Sequence, residues 1–392
     1  MTALRFLTAG ESHGPCLTII LEGIPAGLSI ARAGLDADLR RRQGGYGRGG
    51  RMKIERDAAD ILSGVRHGHT LGSPITLRIE NKDWANWQER MAPDPVATPP
   101  EPVTRVRPGH ADLPGALKYS HDDVREVIER ASSRETAARV AVGALCRQLL
   151  ASFGVAIHSH VLAVGGMGYA PSAQPDPGAA DEAFWQRVEA SEMRCADADL
   201  TARMIERILE GKRDGDTCGG VFEVVATSVP VGLGSYSQWD RRLSTSVMAA
   251  LGSIPSVKGV EIGGGFALAA LPGSKVHDVV RHDPARGWYH LTNSAGGIEG
   301  GISNGEPIVA RVAVKPIPTL AHPLPSADVR TGENVDVTRY ERSDVCVVPA
   351  AGVVGEAMLA IALATAWLDK FGGDSLAETR RNYEAYLATL VR

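Results

Sequence analysis

Residues 4–22 have the sequence LRFLTAGESHGPCLTIILE, in which two apolar segments containing β-branched residues flank a glycine-bearing turn. The segments Leu4 to Thr8 and Leu17 to Glu22 are predicted to be adjacent strands. No Gly-x-Gly-x-x-Gly turn follows the first strand, as a dinucleotide-binding βαβ unit would require. The stretch therefore favours a mixed α+β fold over a Rossmann fold.

The rest of the chain interleaves strands and helices without a regular βαβ period, which also favours α+β. Strands are predicted at Pro74 to Glu80, Val221 to Val231, Val257 to Ile262 and Pro307 to Val314. Helices are predicted at Ala37 to Arg42, Asp122 to Ser152, Asp181 to Ala190, Leu243 to Leu251, Val353 to Phe371 and from Ser375 onward. Within the longest of these helical regions, Ser132 and Glu135 fit a capping box and indicate a new helix N-terminus. One domain spanning residues 1–392 is expected.

Composition argues against several classes of protein. The formal net charge is −4, so no general positive field exists to bind nucleic acid or an anionic membrane. The five cysteines are widely spaced and form no Cys-x-x-Cys pair, which suits reduced thiols in a cytoplasmic protein. No secretory signal is recognised at the start. The most apolar stretch, Val353 to Leu368, contains Glu356 and is shorter than the ~20 residues of a membrane span, so it is predicted to be a buried helix.

The turn Gly10-Glu11-Ser12-His13-Gly14 matches the Gly-x-Ser-x-Gly pattern of serine hydrolases, but that pattern requires a helix directly after the serine. A strand is predicted there instead, so a hydrolase is a weak alternative. His13 is a better candidate than Ser12 for a catalytic side chain, because an imidazole can give a proton to a departing oxyanion near neutral pH. The structural alternative is a surface histidine in a hairpin turn.

Arginine and glycine occur together at several separate places. Residues 40–51 contain five glycines and the arginines Arg40, Arg41, Arg42, Arg48 and Arg51, a composition suited to binding phosphate or carboxylate. The alternatives are a solvated helix end or an RNA contact. Other arginines accompany a histidine in residues 107–112, a serine in residues 130–136 and a carboxylate in residues 342–344. Together they indicate an anion site built from distant loops.

Two histidine pairs have the spacing of metal ligands on one strand face. They are His67 with His69, and His158 with His160. Neither pair has a third ligand by motif, so no metal is expected. A P-loop kinase is also not favoured, because no Gly-x-x-x-x-Gly-Lys-[Ser/Thr] segment is present.

Taken in order, these stretches resemble the chorismate synthase family over nearly the whole chain. The resemblance implies a β-α-β-α sandwich, a homotetramer and the trans-1,4 elimination of phosphate from 5-enolpyruvylshikimate 3-phosphate. It also implies a reduced FMN that is required but not consumed, with NADPH only as a possible reductant of the flavin. The matching stretches are Gly10-Glu11-Ser12-His13-Gly14, Gly44-Gly45-Tyr46-Gly47-Arg48-Gly49, Arg107-Pro108-Gly109-His110-Ala111-Asp112, Arg130 to Thr136, Lys258-Gly259-Val260-Glu261-Ile262-Gly263, Gly296-Gly297-Ile298-Glu299-Gly300-Gly301, Lys315-Pro316 and Arg342-Ser343-Asp344.

By position, the resemblance assigns acid–base roles to His13, which would protonate the leaving phosphate, and to His110, which would manage the proton on the reduced flavin. Asp344 falls where the family has a carboxylate near flavin N5. Contacts to substrate or nicotinamide nucleotide are assigned to Arg42, Arg48, Arg107, Arg134 and Arg342. FMN contacts are assigned to Arg130, Ala131, Ser132, Pro255, Ser256, Gly300, Lys315, Pro316, Ile317, Pro318, Thr319 and Arg342. The chain departs from the family at Pro255-Ser256 and at Pro318, where proline removes a backbone donor.

Overall fold

Two antiparallel sheets frame the protein in the computed structural model, which describes residues 4–49, 57–170, 173–176, 178–285, 287–338 and 343–390. The first sheet has the strand order β1-β2-β6-β3 and the second has the order β10-β15-β9-β7-β8. The strands are β1 (Arg5–Ala9), β2 (Cys16–Glu22), β3 (Ala59–Ile61), β4 (Val65–Arg66), β5 (His69–Thr70), β6 (Ile75–Glu80), β7 (Ala156–Val164), β8 (Met167–Gly168), β9 (Gly220–Thr227), β10 (Val257–Ile262), β11 (Val280–Asp283), β12 (Gly287–His290), β13 (Ile298–Glu299), β14 (Ile302–Ser303), β15 (Ile308–Val314), β16 (Ser326–Ala327) and β17 (Asn334–Val335).

Helices separate the two sheets and also cover the outer face of the second. They are α1 (Arg32–Gln43), α2 (Asp112–Tyr119), α3 (Arg125–Ala131), α4 (Thr136–Ala151), α5 (Glu182–Ala190), α6 (Ala198–Arg213), α7 (Leu243–Gly252), α8 (Gly265–Leu268), α9 (Val348–Phe371) and α10 (Leu376–Leu390). Helix α4 packs on the first sheet, and α9 packs between α4 and the second sheet. On the far side of the second sheet, Trp185 and Val188 of α5 contact Val225 and Val309.

Buried apolar residues occupy every second position along β2 and β6, and this alternation produces the layers. Leu17, Ile19 and Leu21 of β2 are buried toward the helices, as are Ile75, Leu77 and Ile79 of β6. Strand β9 is covered on both sides, because Phe222 and Val224 face the central helices while Val225 faces α5. The order sheet, helices, sheet, helices confirms the predicted α+β class and the β-α-β-α sandwich.

Helix α9 is the centre of the core. Among the residues that the structure describes, it is the one helix long and apolar enough to span a membrane, yet 89% of its most apolar window is buried inside the protein. Small residues allow its close packing: a Cβ on Gly143 of α4 would lie 2.3 Å from the Ala357 Cβ, and one on Gly355 would lie 2.5 Å from the Phe222 ring. The predicted buried helix is confirmed, although it begins at Val348.

A buried ionic cluster ties α9 to its neighbours. Glu356 accepts hydrogen bonds from Arg41 of α1, Arg147 of α4, Arg194 and the Ser159 hydroxyl, at 2.7 to 3.1 Å. Burial would raise the pKa of Glu356, but the three arginines outweigh it and hold the pKa far below its ordinary value. The prediction that Arg41 belongs to an anion-binding loop is therefore wrong, because its guanidinium serves this cluster.

The predicted break at Ser132 is confirmed, but the capping box is not formed as expected. The Ser132 hydroxyl accepts a hydrogen bond from the backbone N–H of Arg134, and a single 3₁₀ turn, Ser133–Glu135, precedes α4. The Glu135 carboxylate pairs with Arg139 at 2.8 Å instead of the Ser132 backbone. The longest helix is α9, with 24 residues, and the region 122–152 is divided into two helices.

Candidate active site

A cavity of about 730 Å³ opens where the β1–β2 turn, the C-terminal end of α1, the α3–α4 junction and the N-terminal end of α9 meet. Its volume lies within the range of small-molecule sites. Apolar residues of α9 line one side of it, namely Ala350, Ala351 and Val354. Arginines, histidines and carboxylates from distant segments line the rest. The cavity thus combines an apolar wall with convergent charged groups.

His13 stands in the turn between β1 and β2 and is held by Glu129 of α3. Its backbone N–H donates to Glu129 Oε2 at 2.8 Å, and its Nδ1 lies 2.9 Å from Glu129 Oε1. The indole ring of Trp87 stacks on the imidazole, with ring centroids 3.7 Å apart. Burial would raise the pKa of Glu129, but its hydrogen bonds and charge interaction with His13, together with Arg125, lower it below the ordinary value. Glu129 is therefore an ionised acceptor for Nδ1.

His110 has an equivalent carboxylate partner in Asp112, the first residue of α2. The His110 Nδ1 contacts Asp112 Oδ1, and Arg107 donates to both oxygens of the same carboxylate, at 2.8 and 3.0 Å. Burial would raise the pKa of Asp112, but the hydrogen bonds from His110 and Arg107 hold it far below its ordinary value. The Arg107 Nη1 also donates to the Thr319 hydroxyl at 3.1 Å, which connects the loop 107–112 to the segment 315–319.

Two of the predicted anion-binding arginines share one buried carboxylate. Arg42 donates to Asp57 Oδ2 at 2.7 Å and Arg134 donates to Asp57 Oδ1 at 2.6 Å. All three side chains are at least 95% buried. Burial would raise the pKa of Asp57, but the two guanidinium groups lower it. Two positive charges against one negative leave this wall of the cavity cationic.

Arg48 and Asp344 form a second ion pair at the cavity. Arg48 Nη1 lies 2.8 Å from Asp344 Oδ2, and the Gly49 N–H donates to Asp344 Oδ1 at 2.5 Å. Asp344 is thereby fixed by a loop almost 300 positions earlier in the chain. Arg342, predicted to contact both substrate and FMN, lies outside the described residues.

Most of the residues predicted to contact FMN line the same cavity: Ala131, Ser132, Pro255, Ser256, Lys315, Ile317, Pro318 and Thr319. Lys315 connects two of these segments, because its backbone N–H donates to the Ser256 carbonyl oxygen at 2.9 Å and its Nζ donates to the Gly109 carbonyl oxygen at 2.9 Å. Burial and the charge of Lys258 lower the pKa of Lys315.

Three predicted FMN residues do not line this cavity: Arg130, Gly300 and Pro316. Arg130 donates to the backbone oxygens of Thr8 and Gly10 and so stabilises the β1–β2 turn from outside. Gly300 lies in the tight turn between β13 and β14. Pro316 stands between two lining residues.

Sequence reasoning did not identify Glu129, Trp87 or Asp57 as site residues. Each acts on a predicted residue from far along the chain; Glu129, for example, is 116 positions from His13. The available signal for Glu129 was its position directly before the arginine–serine stretch of residues 130–136. Trp87 offered no comparable signal.

The two histidine pairs with the spacing of metal ligands lie away from the cavity. His160 is fully buried and bonded to Glu223 at 3.0 Å, and His158 stacks on Trp185. His67 and His69 are exposed at the β4–β5 hairpin. The serine hydrolase alternative loses its structural requirement, because strand β2, not a helix, follows Ser12. The Ser12 hydroxyl instead accepts a hydrogen bond from Ser132 at 3.1 Å.

The cavity therefore combines arginine side chains with two histidines that carboxylates orient, an arrangement typical of enzymes that act on anionic substrates. The family model described as "Chorismate synthase" matches residues 4–368. A chorismate synthase of Geobacter sulfurreducens is 56% identical over 394 residues, covering 98% of both chains. One of Symbiobacterium thermophilum is 52% identical, covering 99% of this chain and 100% of its own. A solved crystal structure of chorismate synthase aligns with a TM-score of 0.81 at 43% identity, over 99% of this chain and 98% of that one.

The chain belongs to the chorismate synthase family. Its activity is that of a carbon–oxygen lyase in the shikimate pathway, which eliminates phosphate from 5-enolpyruvylshikimate 3-phosphate to give chorismate. The substrate is thus a small phosphorylated acid, and the family uses reduced flavin.

Proposed function

We propose that reduced FMN and the phosphorylated substrate bind together in the described cavity, with His13, His110 and Asp344 as the groups that move protons. The single observation that supports this assignment is the convergence of these three side chains with Arg42, Arg48, Arg107 and Arg134 on one cavity of about 730 Å³. Charge-assisted bonds from arginine are suited to phosphate and carboxylate.

The residues present fit a flavin mononucleotide. The apolar side of the cavity, formed by Ala350, Ala351 and Val354, suits a flat aromatic ring, and the cationic side suits phosphate. Among the described residues, the buried Nε of Arg42 has no hydrogen-bond acceptor, as expected for a donor that meets a ligand oxygen. Bound reduced FMN would supply the electron-rich ring that assists departure of the phosphate.

In the proposed mechanism, His13 donates a proton to the leaving phosphate. Because Nδ1 is engaged by Glu129, Nε2 is the ring nitrogen that exchanges this proton. His110, oriented in the same way by Asp112, would hold or release a proton beside a bound reduced flavin, and Asp344 would relay the proton lost from substrate carbon 6. General acid–base assistance of this kind contributes about 10² to 10⁴ in rate.

Substrate or nicotinamide-nucleotide contacts are proposed for Arg42, Arg48, Arg107, Arg134 and Arg342. FMN contacts are proposed for the lining residues from the α3–α4 junction, the segment 255–256 and the segment 315–319, together with Arg130, Gly300, Pro316 and Arg342. NADPH is proposed to act only as a reductant of the flavin. No metal or nucleic acid takes part in the proposed reaction.

A single domain, a homotetramer and a cytoplasmic location complete the proposal. One continuous apolar core contains residues from Leu4 to Phe371 and supports a single domain. Several large apolar side chains are exposed on the surface of one chain, including Phe266 at 82% and Trp288 at 67%, which supports association with further copies.

An anaerobic assay tests the proposed roles. Chemically reduced FMN and the enolpyruvyl phosphate substrate are mixed with protein, and phosphate release and flavin absorbance are followed. We expect His13→Ala and His110→Ala each to lower turnover about 10²- to 10⁴-fold while both variants stay folded and bind flavin. His282→Ala, which changes an exposed histidine on β11, should retain full turnover. Turnover close to that of the unaltered protein in both site variants would refute the assignment.

A further inference from the structure

We infer that Glu129 is a positioning residue for the elimination: it fixes the His13 imidazole by its Nδ1 so that Nε2 is the atom that delivers the proton, while Trp87 covers one face of the ring. The inference rests on the proposed role of His13 as the proton donor to phosphate. It assigns functions to two residues that do not themselves need to touch the substrate.

The first observation is that Glu129 holds the backbone and the side chain of His13 at once. The two carboxylate oxygens accept from the His13 N–H at 2.8 Å and contact Nδ1 at 2.9 Å. The backbone oxygen of Glu129 accepts a third bond from the Ser12 N–H at 3.0 Å. A loop residue with this many bonds to one helix has little freedom to rotate, so the direction of Nε2 is set by α3.

The second observation is the covering of the imidazole by Trp87. The rings are inclined by only 22° with centroids 3.7 Å apart, and the indole N–H donates to Asp83 Oδ2 at 3.0 Å. Stacking therefore shields one face of the imidazole from water and limits the tilt of the ring.

The charges around His13 agree with this role. They are Glu129 and Arg125 on α3, Asp83 and Arg90 on the loop that contains Trp87, and Glu11 in the same turn as His13. Glu129 is 97% buried and ionised, since His13 and Arg125 lower its pKa against the effect of burial. The ionised carboxylate is therefore a charge-assisted acceptor for the bonds from His13.

In each turnover His13 gives up one proton and regains it, while the Glu129 carboxylate stays in contact with Nδ1. The bond between carbon 3 and the phosphate oxygen breaks, and the phosphate leaves with the electron pair and accepts the proton from Nε2. His13 is then neutral, and it must regain a proton from water before the next cycle. Glu129 contacts Nδ1 throughout and does not itself change protonation state.

A double-mutant cycle tests the inference. We expect Glu129→Gln to lower kcat roughly 10- to 100-fold, as is typical when the outer partner of a functional histidine is changed, with little change in KM. In a His13→Ala background the same change should have almost no further effect, since residues that act as a unit are not additive. Glu126→Gln, an exposed position on the same helix, is the matched control.

Trp87 is tested in parallel. Trp87→Phe keeps an aromatic face and should retain most of the turnover, whereas Trp87→Leu removes the stacked ring and should lower kcat. If Glu129→Gln does not fold, the cycle is run with Glu129→Asp, whose shorter carboxylate cannot reach both His13 atoms; the same lack of additivity is expected.

Full additivity in the cycle, or a loss confined to KM, would overturn the inference. These outcomes differ from failure of the proposed function. Full turnover in His13→Ala alone would remove the proposed proton donor, whereas loss of turnover in His13→Ala with normal kcat in Glu129→Gln would remove only the role of Glu129.

Discussion

Replacing Asp57 by asparagine should strongly destabilise the protein. The Asp57 carboxylate is the counter-charge of Arg42 and Arg134, at 2.7 and 2.6 Å, and the side chains involved are 2–5% exposed. Asparagine has nearly the same shape but leaves two buried guanidinium groups facing a neutral amide. Removal of one partner from a buried ion pair costs about 3–5 kcal/mol. We expect the free energy of unfolding in urea to fall by about this amount.

The matched control is Asp60→Asn, three residues further along the chain. Asp60 also pairs with two arginines, Arg32 and Arg78, but all three side chains are about half exposed. Water and salt screen such pairs, so the unfolding transition of this variant should coincide with that of the unaltered protein. The reasoning is refuted if Asp57→Asn and Asp60→Asn unfold at the same urea concentration. Added anionic substrate should stabilise Asp57→Asn more than the unaltered protein, because it supplies the missing negative charge.

Three further outcomes follow from the packing and charges. Gly143→Ala should lower the free energy of unfolding by about 1–3 kcal/mol, because its Cβ would overlap that of Ala357; urea titration measures it. Glu356→Gln should cost about 3–5 kcal/mol in the same titration, since three arginines would lose their buried carboxylate. The free energy of unfolding should be constant at neutral pH and fall below about pH 5. The pKa values of Asp57, Asp112 and Glu356 are lowered in the folded state, so the unfolded chain takes up protons first as the pH falls. Urea unfolding at a series of pH values checks this.

Local patterns in the sequence were sufficient for the elements with clear periodicity. The alternation in β2 and β6 predicted both strands, and the apolar stretch of α9 predicted a buried helix. Helix α2 was missed because Pro114 and Gly115 suggest a loop, although a proline in the first turn of a helix sacrifices no hydrogen bond. Strand β7 was not predicted, although His158 and His160 have the spacing of residues on one strand face.

The site residues also divide into those that the sequence predicted and those that it did not. Residues carried by contiguous motifs, such as His13, His110 and Arg134, could be named from the sequence. Their partners could not, because a contact between positions 13 and 129 or 57 and 134 depends on how α3 and α4 pack against the first sheet. Arg41 and Arg42 show the same limit: they are neighbours in sequence, but the turn of α1 directs one to Glu356 and the other to the cavity.

The late position of α9 in the chain has a consequence for how the protein is made. Residues 4–347, including α4 on the first sheet, leave the ribosome before the helix that packs between α4 and the second sheet has been synthesised. Until Val348–Phe371 emerges, the inner face of the second sheet lacks its main cover, and such surfaces promote aggregation in nascent chains. The second sheet can therefore complete its packing against the central helices only after α9 has been synthesised.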